Sequence, residues 1–160
     1  MQAAKDTFLN FLATRLQQLD ATRTIVIDGV TRPAVLACEN QRAEQSDAFE
    51  NTFCVAWGEP KIAEANGVST SVCVITYWTR GSASMSGVDR GRELTKMDSL
   101  LLEMTAEKKT PKLDLTADPA KEYGTNVFWR GVSFSDAEQL GMRLQRKAKL
   151  EVHYFPEEAQ

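Results

Sequence analysis

The chain has 160 residues, of which 42% are hydrophobic and 26% charged, and its formal net charge is −3. That length fits one domain with its own core, and the negative charge disfavours general binding to nucleic acid or to an anionic membrane surface. No apolar run approaches the roughly 20 residues of a membrane-spanning helix, and the N-terminus lacks the pattern of a secretory signal. The three cysteines lie far apart in sequence, so we expect free thiols in a reducing cytosol and no zinc site.

The N-terminal part of the chain predicts one helix and two strands. Apolar residues recur at helical spacing over residues 6–19, which is typical of an amphipathic helix. Residues 24–28 form a short predicted strand that ends at Gly29. A second strand is expected to begin at Arg32-Pro33 and to continue through the apolar residues that follow.

The polar stretch at residues 40–51 is typical of an exposed loop. Phe49 is its only large apolar residue. This side chain either folds back onto the domain or protrudes as an anchor for a partner, and the sequence leaves both alternatives open.

Two further strands are predicted at residues 52–58 and 68–79, with Asn66-Gly67 as a hairpin signal between them. Strands two, three and four are therefore expected to be consecutive and antiparallel. The second of this pair is rich in β-branched and aromatic residues, and both of its faces are apolar near Trp78. This pattern predicts a central strand that is covered on both sides.

A polar loop at residues 80–87 and a long helix follow the central strand. The helix is expected to begin with Ser86 as its N-cap and Asp89 completing a capping box, and to end near residue 107, before Pro111. One stripe on the helix is predicted to face the core, and it consists of Leu94, Met97, Leu101 and Met104.

The C-terminal part predicts an irregular stretch at 113–124, a strand at 126–134 with a bulge at Gly131, and a long final strand from Leu140 with period-two alternation. Arg146 interrupts the apolar side of that strand, which indicates a bulge or the point where the strand leaves the core. Together these elements predict an α+β fold: a single compact domain over residues 1–160, in which a mixed, mainly antiparallel β-sheet packs against two amphipathic helices.

No residue pattern points to catalysis, and we expect no cofactor. The single histidine, His153, is interpreted as a surface imidazole on the final strand. The loop between Gly81 and Gly87, with Arg80 and Arg90 beside it, leaves open a small anion-binding domain or enzyme, although it matches neither phosphate-binding glycine pattern.

Charge is unevenly distributed along the chain. The acidic group lies around the 39–50 stretch and includes Glu44, Asp47 and Glu50. The basic group lies on the final strand and consists of Arg143, Arg146, Lys147 and Lys149. Both groups are either ordinary solvated surface or the two halves of a head-to-tail contact between copies of the chain, which would close into a ring.

The order of these elements resembles that of the tail terminator (tail completion) proteins of long-tailed bacteriophages. The resemblance covers nearly the whole chain, and it includes a strand that starts Arg32-Pro33-Ala34-Val35, a central strand that ends Tyr77-Trp78-Thr79, and the final Val152-His153-Tyr154-Phe155. It implies a virion protein without catalytic residues, assembled in the host cytoplasm. Its copies would form a ring, usually hexameric, that stops polymerisation at the head-proximal end of the tail tube and offers a surface to the neck.

The implied partners are other copies of the chain, the tail tube protein and a head–neck connector protein. The resemblance implies no membrane and no sequence-specific nucleic acid, although the ring leaves a channel for DNA. Loops are the usual contact elements of such proteins, so Phe49, Arg80 and Arg90 are expected to contact the tube or neck. The long connections at 40–51 and 113–124 leave open another neck or head-completion role.

Overall fold

The computed structural model describes residues 1–38, 49–63 and 65–156. In that part of the chain the helices are α1 (Gln2–Leu19), a short 3-10 helix (Ala83–Met85) and α2 (Arg90–Met104). The strands are β1 (Thr24–Ile27), β2 (Val30–Pro33), β3 (Val35–Ala37), β4 (Phe53–Trp57), β5 (Lys61–Ile62), β6 (Ser69–Thr79), β7 (Lys109–Asp114), β8 (Lys121–Phe134), β9 (Glu138–Leu140) and β10 (Arg143–Tyr154). The predicted α+β fold is confirmed.

The main sheet has the strand order β3-β4-β6-β10-β8-β7, with β5 paired to β6 and β9 paired to β10. β6 lies in the middle, as its β-branched and aromatic composition predicts. Its antiparallel ladder with β10 runs without interruption from Thr79 opposite Leu144 to Ser69 opposite Tyr154. The final strand of the chain therefore lies beside the central strand of the sheet.

Both helices pack on one face of this sheet. The α2 stripe is buried as predicted, and α1 buries Ala4, Thr7, Phe8, Leu12 and Leu16. The Phe8 ring meets the rings of Trp57 and Trp129 edge to face, with centroids 5.8 and 5.1 Å apart, an arrangement that aromatic rings prefer. The indole N–H of Trp129 donates to the carbonyl of Thr105 at 3.2 Å. This face holds the hydrophobic core.

The opposite, open face of the sheet is contacted by neither α1 nor α2. Val72 on β6 and Phe128 on β8 are 40% and 41% exposed there. The prediction that the central strand is covered on both sides is confirmed at the Trp78 end, where Tyr77 and Trp78 are both buried, and is wrong at Val72. Antiparallel sheets commonly pack one face and leave the other in water.

β1 and β2 form a separate two-stranded hairpin, which we call the arm. Asp28 and Gly29 both have positive φ, 50° and 78°, as the type I′ turns that favour Asp-Gly require. The single strand predicted across Pro33 is thus two elements, because β2 ends at Pro33 and β3 begins at Val35. Between them the Ala34 N–H donates to the carbonyl of Arg23 at the base of the arm.

The pairing of β3 corrects a second prediction. β3 lies parallel to β4, with Val35 opposite Phe53, so it is not an antiparallel neighbour. A parallel pair needs a longer connection than a hairpin, and residues 38–52 separate β3 from β4 in sequence. Of these, residues 39–48 lie outside the described residues. β4 and β6 are antiparallel, as predicted, and Gly67 closes the turn between β5 and β6 with a φ of 68°.

The start of α2 also differs from the prediction. Ser86 adopts a left-handed conformation, with φ 53° and ψ 30°, and does not cap the helix. The residue that precedes the helix is Asp89, whose carboxylate accepts hydrogen bonds from the backbone N–H of Ser82. The acidic side chain therefore organises the loop before the helix and forms no capping box.

Pro111 lies within a strand and does not act as the helix stop. β7 is the edge strand of the sheet, where the missing N–H of a proline is tolerated. The stretch predicted as irregular contains the end of β7 and the start of β8, which begins earlier than expected, at Lys121. The predicted bulge is confirmed, because Gly131 has a φ of 71° and the register with β10 shifts there.

Candidate functional site

The loop before α2 and the start of β10 meet around Trp78. The guanidinium carbons of Arg143 and Arg80 lie 4.3 and 5.4 Å from the centroid of its ring. Both distances fall within the roughly 6 Å over which cation–π attraction operates. The predicted neck-contact residue Arg80 and the predicted ring-interface residue Arg143 therefore lie together at one end of the sheet.

Hydrogen bonds within the protein occupy many of the polar groups of this loop. The Asp89 carboxylate accepts the Ser82 N–H at 3.0 and 2.9 Å, and these bonds hold the pKa of Asp89 below its usual range. The Arg90 guanidinium donates to the carbonyls of Gly87 and Met142, both at 3.0 Å. Other backbone N–H groups that donate within the chain are those of Arg80, Gly81, Met85, Ser86, Gly87 and Val88.

This network does not favour the anion-binding alternative. A phosphate cradle needs free backbone N–H groups, and here the Asp89 carboxylate already takes the position of the anion on Ser82. Gly81 and Gly87 have φ values of +67° and +75°, and a Cβ at either position would clash with Asp89 or Arg90. The glycines therefore allow the loop to close on its own side chains.

The acidic half of the predicted charge contact is only partly described. Glu44 and Asp47 lie outside the described residues. The Glu50 carboxylate accepts the backbone N–H of Arg80 at 2.9 Å. Phe49 is 6% exposed and so folds back onto the domain, which corrects its interpretation as a protruding anchor.

The basic half divides between the two faces of β10. Lys147 and Lys149 are exposed on the open face, and Arg143 points to the same side by strand alternation. Arg146 points to the helices, where its Nε lies 3.4 Å from a carboxylate oxygen of Asp98. The prediction of Arg146 as an interface residue is thus corrected, as is the bulge expected there, because the ladder with β6 is continuous.

Asp98 joins this arginine to a buried tyrosine. The hydroxyl of Tyr77 donates to the carboxylate oxygen that also faces Arg146. Burial raises the pKa of Tyr77, and the hydrogen bond and negative charge of Asp98 raise it further. These three residues link α2 to β6 and β10, so we assign them a structural role.

His153 is half-buried on the open face and not freely exposed. Its Nδ1 lies 2.8 Å from the hydroxyl of Thr70, and its Nε2 lies 3.7 Å from the carboxylate of Glu151. Burial, followed by the charge of Arg130, lowers its pKa below the usual value. Within the described ranges, no three His, Cys, Asp or Glu side chains come together as a metal site would require.

Two exposed apolar surfaces are absent from the sequence-based predictions. The arm carries one of them, with Val26 64% and Val30 50% exposed. The second, which we call the apolar patch, consists of exposed residues from two segments that the Arg90 guanidinium links: Met85 and Val88 before α2, and Leu140 and Met142 before β10. The run Ile25-Val26-Ile27 before Asp-Gly is a usable signal for the arm. No local signal brings the members of the apolar patch together, because they come from two distant segments.

Comparison with known proteins does not assign the chain to a family. No protein-family model matches it, and a search of curated proteins finds no match either. Among the described helices, none is long and apolar enough to cross a membrane.

Proposed function

We propose that this protein is a structural virion subunit that forms a ring with copies of itself at the head-proximal end of a bacteriophage tail tube. The observation that carries the proposal is the division of the sheet into a helix-covered core face and an open face with outward basic residues. The elements on which the resemblance rests also support it, since α1, the central β6, α2 and the final β10 occur in the expected order.

Charge supports a contact between different surfaces of two copies. Lys147 and Lys149 point outward on the open face, while the acidic Glu44 and Asp47 belong to the segment that joins the edge strand β3 to β4. Opposite charges across an interface favour encounter and set its register. A contact between two different surfaces is head-to-tail, and such contacts form a ring when the rotation between successive copies closes.

The proposed role needs neither a catalytic residue nor a cofactor. A ring seated on the tube stops growth because its outer surface does not match the end of another tube subunit. The same outer surface would receive the head–neck connector protein. The loop network around Asp89 and Arg90 suits such a contact, because it presents a well-ordered loop at the end of the sheet.

Mixing the purified protein with polymerising tail tube protein tests this function. We expect shorter tubes with extra density at one end in negative-stain images, and shorter tubes as the ratio of this protein to tube protein rises. A protein that leaves tube length unchanged but binds the connector protein would instead support the neck or head-completion role.

A further inference from the structure

The arm and the apolar patch lie at the same end of the sheet. The arm leads directly into β3, whose first residue Val35 lies opposite Phe53, and the next residue of β4 lies opposite Thr76 of β6. The apolar patch includes Met142, which lies two residues before Leu144, the partner of Thr79 on β6. Both surfaces are therefore level with the last residues of the central strand.

They lie on opposite flanks of that end. From β6, the strands β4 and β3 lead outward to the arm, whereas β10 and β9 lead outward in the other direction to the apolar patch. The strands β4, β6 and β10 lie between them, so one copy carries two separate apolar surfaces on opposite sides of its central strand.

The arm presents apolar side chains on both of its sides. Val26 lies opposite Thr31, and Val30 lies opposite Ile27, so strand alternation points the two valines in opposite directions. Ile25 of the arm packs against the core, whereas Val26 and Val30 remain exposed, and β-branched residues contribute most when a pleated surface is covered. The base of the arm is fixed, because Ala34 donates to the Arg23 carbonyl at 3.0 Å.

The apolar patch is built from two segments that Arg90 holds together. Its guanidinium donates to the carbonyl of Gly87, beside Val88, and to the carbonyl of Met142. Val88 is 70% exposed and Met142 is 75% exposed. Methionine side chains adapt their shape to a partner, which suits them to receive the branched side chains of the arm.

We propose that the arm of one copy docks on the apolar patch of the next copy, an inference that rests on the proposed ring. Because the two surfaces differ and lie on opposite flanks, each copy uses its arm on one neighbour and its patch on the other. Charge agrees with this pairing, since Arg32 is exposed on the arm and Glu138 is exposed on β9 beside the patch. A contact between two arms would instead give a closed dimer.

Cross-linking of cysteine variants tests the geometry. The double variant Val26→Cys/Val88→Cys, treated with a short bismaleimide, is expected to give a ladder of dimers and larger products on a denaturing gel. Each single variant should give only the background that the native cysteines produce in the wild-type chain. Dimers from Val26→Cys alone would show an arm-to-arm contact and overturn the proposal, as would the absence of a ladder from the double variant.

Assembly of a charged variant tests the energetics. Val26→Lys/Val30→Lys is expected to raise the concentration needed for assembly on the order of tenfold or more. The matched control is Ile62→Lys, because Ile62 is also 64% exposed but lies opposite Ser69, at the other end of β6. We expect this control to assemble like the wild type.

The outcomes separate this contact from the proposed function. If the arm variant assembles as the wild type does, the contact is wrong while the ring stands. If assembly depends on the arm but the wild type leaves tube length unchanged, the tail role is wrong while the contact stands. A wild-type chain that stays monomeric, alone and with tube protein, overturns both.

Discussion

Two neighbouring residues of β8 show how differently the two faces of the sheet are used. Trp129 points to the helices, where its ring lies 5.1 Å from that of Phe8 and 4.6 Å from that of Phe11. Phe128 points to the open face and is 41% exposed. Both are aromatic residues in one strand, so the strand alternation alone decides which of them belongs to the core. Stability is therefore concentrated on one face, and side chains on the open face remain partly in water.

The largest expected effect follows directly from this pair. Trp129→Ala should lower the free energy of unfolding by about 3–5 kcal/mol, because it removes a buried aromatic side chain and leaves a cavity. Phe128→Ala should change it by about 0.5 kcal/mol, as is usual for surface substitutions. Urea denaturation followed by circular dichroism measures both. Similar losses for the two variants would show that the open face is covered in the isolated protein.

A second adjacent pair tests the same comparison with charged residues. Arg146→Met should lower the free energy of unfolding by about 2 kcal/mol, because the half-buried Asp98 loses its ionic partner. Lys147→Met, one residue further along β10 and exposed on the open face, should leave stability nearly unchanged. The same urea measurement applies. An equal effect at the two positions would contradict the assignment of Arg146 to the core side.

The pH dependence of stability tests whether Tyr77 is buried beside Asp98. Its pKa is raised by burial and by Asp98, so above the ordinary value of about 10 the unfolded chain releases a proton that the folded chain keeps. This contribution to stability is complete below about pH 10 and is lost as the pH rises further. Tyr77→Phe should therefore lower the free energy of unfolding by about 1 kcal/mol near neutral pH. Between about pH 9 and 11, the free energy of unfolding of this variant should fall less than that of the wild type. Parallel pH profiles for both proteins would contradict this account.

The smallest effect on stability is expected on the open face, where the effect on assembly is larger. Lys147→Glu/Lys149→Glu should unfold within about 0.5 kcal/mol of the wild type for each substitution, yet form rings less readily. Adding Glu44→Lys and Asp47→Lys should partly restore assembly if these residues face each other. Sedimentation at physiological salt measures this. Normal assembly of Lys147→Glu/Lys149→Glu would rule out the charged contact. The proposed contact through the arm would then stand alone.

Local pattern was enough to predict the elements whose periodicity is strong. The buried stripe of α2, the alternation of β10 and the composition of β6 each reflect a single face that must meet the core. The parallel pairing of β3 was not predictable, because the three residues of β3 carry no local pattern that specifies the direction of their partner strand. β7 was missed because Pro111 suggests a stop, whereas an edge strand tolerates it.

The placement of the candidate contact residues was predicted less well than the fold. The sequence grouped Arg146 with Lys147 and Lys149 in one basic cluster, although its period-two alternation already put Arg146 on the apolar side of the strand. The structure shows its partner there, Asp98. Phe49 was correctly identified as the apolar residue of a polar stretch, and only its burial shows which of its two alternatives holds. The apolar patch depends on the Arg90 contact between distant segments, which no local pattern encodes.

The mass of the purified protein by light scattering, with negative-stain images of the same sample, tests the central claim most directly. Low and moderate salt should be compared, because a contact through the arm and the apolar patch is less sensitive to salt than one between charged residues. We predict a ring of several copies with a central hole that persists at moderate salt. A monomer at both salt concentrations, even after tail tube protein is added, would contradict the account.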